Sequence, residues 1–177
     1  MNIATLLTAI RTEIGDKEEP YRYDEMALLE FIQGAISDYS QYRPRRKRGS
    51  ITLREDSLEY QMPDDYQVWV SGLENYEVLD SMLYLDVYPR SPIILTFVYL
   101  ANHDVSSLPE SSLSLIVDYC MWKLLSDATR EGSEISELKL GKGLDIKFDN
   151  FDQISKLAET RYSSYLSAVK KTIGGGT

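Results

Sequence analysis

The chain has 177 residues, 43% of them apolar, a single cysteine and a formal net charge of -9. That length supports one domain with one sizeable core, and the lone Cys120 excludes a disulfide framework and points to a protein that is cytosolic or assembled in the cytosol. No apolar run approaches the roughly 20 residues of a membrane span, and an acidic chain repels nucleic-acid phosphates instead of gripping them.

The first predicted element is a helix over residues 3–14. Ile3, Leu6, Leu7, Ile10 and Ile14 recur on one face, and Gly15 stops the run. The segment has no basic leader, so it reads as an amphipathic helix and not as a secretory signal. A polar link with Pro20 follows. Asp24 then caps a second helix over 24–42, with Leu28, Leu29, Ile32, Ile36 and Tyr39 as its stripe. Gly34 weakens this helix and marks a close helix contact. Pro44 ends it.

Arg43, Arg45, Arg46, Lys47 and Arg48 crowd into the loop that follows. Two readings stand side by side. One is a docking patch for phosphate or an acidic protein surface; the other is a solvated charge run. No aromatic residue interleaves the run, which argues against a platform for single-stranded nucleic acid.

Residues 50–100 change character. Short runs such as DYQVWV, MLYLDV and IILTFVYL are rich in β-branched and aromatic residues. Turn signals at Asp56, Pro63-Asp64-Asp65, Gly72, Asn75 and Pro89 divide them. The pattern predicts an antiparallel β-meander, since the connections are too short for parallel pairing. Tyr60, Tyr66, Trp69, Tyr84 and Tyr88 read as packing residues. Residues 51–100 hold nine acids against Arg54 and Arg90, so this segment carries most of the acidity.

The longest and most apolar helix is predicted over 108–130, capped by Ser107 and led by Pro109 and Glu110. Leu113, Ile116, Cys120, Leu124 and Ala128 form its stripe, and Leu115, Tyr119, Trp122 and Leu125 widen it. So wide an apolar surface calls for partners on more than one side. Residues 131–150 read as a strand or loop. Their Gly141 and Gly143 match neither the Walker A pattern nor the dinucleotide fingerprint. A last helix is predicted over 150–172, with Ile154, Leu157, Ala158, Tyr162, Tyr165, Leu166 and Val169 on one side. Residues 173–177 form a glycine-rich flexible tail.

Chemistry-bearing constellations are sparse. His103 is the only histidine, and the sequence has no His/Cys cluster at metal-ligand spacing. The spacing does not set His103 beside Cys120 or a serine as a nucleophile pair. We therefore expect no catalytic residues, no cofactor and no metal. The expected fold is α+β and mainly α: a single domain over 1–177, a bundle of about four helices with an antiparallel β-meander inserted between helices two and three.

The succession of elements resembles the head–tail connector proteins of tailed bacteriophages, also called adaptor or head-completion proteins. The resemblance rests on Tyr23-Asp24-Glu25 with Leu28-Leu29 before Ala35, on Tyr60 with Met62-Pro63 and Asp65, and on Leu108-Pro109-Glu110 leading the long helix. It implies a structural virion protein, located at the neck and assembled in the host cytoplasm. Such proteins form a ring of identical copies, commonly a dodecamer, under the portal protein. The ring extends the DNA channel, through which DNA passes without sequence-specific binding. It also offers a platform to the stopper or tail-completion protein. The resemblance brings no catalytic residues and no membrane. It points to terminal segments and exposed loops as the contacts with the portal or neighbouring ring: Arg43, Arg45, Arg46, Lys47 and Arg48; Lys170, Lys171, Thr172, Ile173 and Gly174; and residues 131–147. An acidic face on the channel would let DNA slide. The long meander departs from smaller members of the family. Two rival readings are a phage-encoded regulator that holds a protein through the basic run, and a small hydrolase with paired carboxylates.

Overall fold

A computed structural model describes residues 1–130, 137–140, 144–147 and 151–171. The fold is α+β and mainly α. In chain order the elements are α1 (Ile3–Ile14), α2 (Glu25–Tyr42), β1 (Arg45–Leu53), β2 (Glu59–Gln61), β3 (Tyr66–Ser71), β4 (Glu77–Leu79), β5 (Met82–Tyr84), β6 (Ile93–Ala101), α3 (Leu113–Arg130), β7 (Glu137–Leu140), β8 (Leu144–Lys147) and α4 (Phe151–Lys170). They group into two compact units: Met1–Tyr42 with Asp104–Thr177, and Arg43–His103.

In the helical unit, local signals set the helix ends. The Asn2 side chain accepts the Thr5 N–H at 2.8 Å and caps α1. At its other end Gly15 takes a left-handed φ of 73°, and the Asp16 N–H returns to the Arg11 carbonyl. Leu6, Ile10 and Ile14 of α1 pack with Leu28, Ile32 and Ala35 of α2 in one core. α3 runs through that core and touches α1, α2 and α4. Ile116, Cys120, Met121, Leu124 and Leu125 are buried there. The wide apolar surface of α3 is thus covered within one copy, by three helices.

The long helix does not begin at residue 108. A 3-10 turn over Val105–Ser107 and another over Glu110–Ser112 precede α3. Leu108 between them is extended, with φ -65° and ψ 131°. Pro109 is the reason: its ring disfavours helical geometry in the residue before it. Ser107 is not the cap of the long helix. It closes a capping box with Asp104 on the first 3-10 turn.

The inserted β-rich segment is larger than the sequence indicates and has its own core of Leu53, Met62, Leu73, Leu83, Phe97, Tyr99 and Ala101. Its six strands form two three-stranded sheets, in the orders β1-β6-β3 and β2-β5-β4. All the pairings are antiparallel, as predicted. The first sheet is not a simple meander, because β1 and β6 pair across the whole insertion, Arg45 opposite Ala101 and Leu53 opposite Ile93. β4 and β5 form a hairpin whose turn, Asp80-Ser81, has positive φ at both positions (48° and 61°). That handedness matches strand twist. Gly72 has φ 90°, and a Cβ there would lie 2.7 Å from the Thr96 carbonyl oxygen, so both conformation and space demand glycine.

Candidate interaction surface

The basic run is a strand and not a loop. Arg45, Arg46, Lys47 and Arg48 form the first half of β1, hydrogen-bonded to the end of β6. The two-residue period of a strand then sorts the cations by face. Lys47, Gly49, Ile51 and Leu53 are at least half covered on the side of the β core, while Arg46, Arg48, Ser50 and Thr52 are exposed. Lys47 donates to Asp65 at 2.5 Å, and the Tyr99 hydroxyl donates to the same carboxylate at 2.9 Å. Burial pushes the Asp65 carboxyl up, but the bonds from Lys47 and Tyr99 outweigh it and hold it below its usual range. The bond to Asp65 raises the Lys47 ammonium. β1 is also an edge strand of its sheet. Exposed arginines there oppose unwanted strand pairing.

Of the other predicted contact residues, Arg43 opens the β unit, and its carbonyl oxygen lies 3.0 Å from the His103 Nε2. A carbonyl only accepts, so that ring nitrogen carries the proton. Lys170 ends α4, with its Nζ 5.5 Å from the Tyr42 ring centre. Lys171 follows the helix and is exposed. Thr172, Ile173 and Gly174, with the rest of the predicted tail, lie outside the described residues. So does much of 131–147, except the β7–β8 hairpin.

The opposite end of the β unit holds a groove that the sequence reading missed. It is open, measures about 380 Å³, and is lined by Tyr76, Glu77, Tyr84, Asp86, Tyr88 and Ile93 among others. Tyr84 sits in the middle strand of its sheet, directly between Glu59 and Glu77 on its neighbours. Both glutamates and Asp86 are exposed. An aromatic face with flanking carboxylates is an environment for a guanidinium or ammonium group. The aromatic residues therefore divide. Tyr60 and Tyr66 pack on the core, as expected. Tyr88 is 58% exposed and Trp69 37%, so these two are not core residues. The signal was present in the alternation Glu77, Leu79 and Met82, Tyr84, which places acid and ring on one face only once the two strands are paired.

Exposed large apolar side chains are concentrated in the same unit. Val68, Trp69, Val70, Leu79, Val87, Tyr88, Ile93 and Ile94 are all in it; the helical unit contributes Ile3, Tyr21, Met26 and Tyr42.

Reactive groups are arranged differently. Cys120 is fully buried in the helical core, and burial pushes its thiol up to about 12, so it is no thiolate at neutral pH. Among the described residues no cluster of His, Cys, Asp and Glu is placed to hold a metal ion, and no helix is long and apolar enough to cross a membrane. No protein-family model matches the chain, and no curated protein is significantly similar to it.

Proposed function

We propose that this chain is a structural virion protein, the head-to-tail adaptor of a tailed bacteriophage. In this reading identical copies form a ring under the portal at the neck. The ring prolongs the DNA channel and offers the stopper or tail-completion protein its platform. DNA passes through without sequence-specific binding, and no catalysis is assigned.

The observation that carries the proposal is the succession of elements: two amphipathic helices, an acidic β insertion, a long helix introduced by Leu108-Pro109-Glu110, and a terminal helix. That is the order in which the connector-like motifs fall along the sequence. A second observation supports assembly. The apolar surface of α3 is covered within one copy, yet the β unit leaves eight large apolar side chains exposed, against four in the helical unit. Where exposed apolar side chains adjoin, they are a mark of interfaces.

Negative-stain images of the purified protein, alone and mixed with a portal protein from the same source, test the proposal. Rings of many copies, or rings formed on the portal, are the expected result. A monomer or dimer that ignores the portal at micromolar concentration overturns it.

A further inference from the structure

The β unit is electrically polar along its long strands. Arg45, Arg46 and Arg48 occupy one end of β1, and the groove with Glu77 and Asp86 begins beside Leu53 and Ile93 at the other. Six residues separate Lys47 from Leu53, about 20 Å of extended chain. Patches so far apart on one unit do not neutralise each other. Among the described residues, the four ion pairs involve none of Arg46, Arg48, Glu77 and Asp86. Lys47 is already occupied by Asp65, which leaves the arginines as the outward cations.

The two patches also match in chemistry. Arg46 and Arg48 are two residues apart on one face, roughly 7 Å along the strand. Their cross-strand neighbours are Leu100 and Val98, both partly exposed, which adds apolar surface next to the charges. The groove offers carboxylates for bidentate pairing, tyrosine faces for guanidinium stacking, and Ile93 and Val87 as exposed apolar surface. Of the partners that could fill such a groove, a second copy of this chain carries the complementary face.

We infer that copies associate head to tail through their β units, with Arg46 and Arg48 of one copy seated at the groove of Glu77, Tyr84 and Asp86 on the next. The contact is heterologous: each copy presents a donor face to one neighbour and an acceptor groove to the other. Such contacts propagate and close into a ring when the rotation permits. This inference deepens the ring reading and rests on it. It names the surface that joins neighbouring copies.

Charge exchange tests it on the full chain. One variant carries Arg46→Glu and Arg48→Glu, the other Glu77→Lys and Asp86→Lys. All four side chains are exposed, and circular dichroism with a thermal melt checks that each variant folds. Where one does not, Arg46→Gln with Arg48→Gln, or Glu77→Gln with Asp86→Asn, takes its place. Sedimentation and negative-stain imaging read the assembly. Each double variant is expected to associate at least about tenfold more weakly than the wild type. An equimolar mixture of the two reversed variants, whose faces are again opposite in sign, is expected to recover assembly. Rings that persist in either variant overturn this inference and leave the ring reading standing. Weakening without recovery in the mixture overturns the direct pairing of strand and groove. A wild-type chain that stays monomeric, with or without portal, overturns both.

Discussion

Arg161 on α4 reaches Glu13 on α1, its Nη2 donating to the carboxylate at 2.5 Å across 148 positions of sequence. Its Nη1 donates to Asp118 on α3 at 2.7 Å. One guanidinium therefore ties three helices, with all three side chains less than a third exposed. Removing it leaves two carboxylates facing each other without a counter-charge. Arg161→Ala is expected to lower unfolding free energy by about 1–3 kcal/mol. Urea titration measures this. Adding Glu13→Gln to that variant should return part of the loss. If the single substitution costs nothing, the triad is only a surface contact.

Asp65 provides a pH test in the β unit. Burial raises its carboxyl, yet the bonds from Lys47 and Tyr99 leave it below the ordinary value. A depressed carboxyl contributes stability that is present above its unfolded pKa of about 3.9 and is lost as pH falls through the folded pKa. Lys47 is shifted the other way, and its contribution is lost as pH rises through its raised folded pKa, beyond about 10.4. Asp65→Asn should therefore destabilise the protein at neutral pH, and the gap from wild type should narrow below about pH 4. Urea midpoints at several pH values decide it. A gap that stays constant into acid would show that the Asp65 charge contributes nothing.

Tyr23 carries a different signature. Its hydroxyl oxygen is buried without a hydrogen-bond partner among the described residues. Burial raises this phenol above its usual range, aided by the Asp16 charge and opposed by Arg22. A buried group without a partner costs about 1–3 kcal/mol of desolvation. Tyr23→Phe keeps the ring and removes that cost. The melting temperature should rise or hold, and a clear fall would mean that the hydroxyl has a partner in solution.

Gly34 lies inside α2, where glycine is about 1 kcal/mol worse than alanine. A Cβ at this position would meet the Tyr119 ring at 3.7 Å, ordinary contact distance. The close helix approach expected from the sequence is present, but it leaves room for a methyl group. Gly34→Ala should stabilise the chain by up to about 1 kcal/mol. A loss in calorimetry would mean that α2 and α3 pack more tightly than 3.7 Å implies.

The sequence by itself determined the helices. Apolar residues at helical spacing, Gly15 past one end and Pro44 past another are local signals, and α1, α2 and α4 follow them to within a residue or two. The break at Leu108 is equally local, since a residue before proline is kept out of helical geometry, although the apolar stripe runs on through 108–130. Only the tertiary structure decided what became of the basic run. Arginine has no strong preference for strand. Arg45 to Arg48 are extended because β6, more than forty residues later, supplies their hydrogen-bond partners. The groove around Tyr84 likewise exists only once β2, β5 and β4 lie side by side. Helical order is encoded within a few turns of chain. Sheet faces are assembled from distant segments, and no window of sequence contains both sides of them.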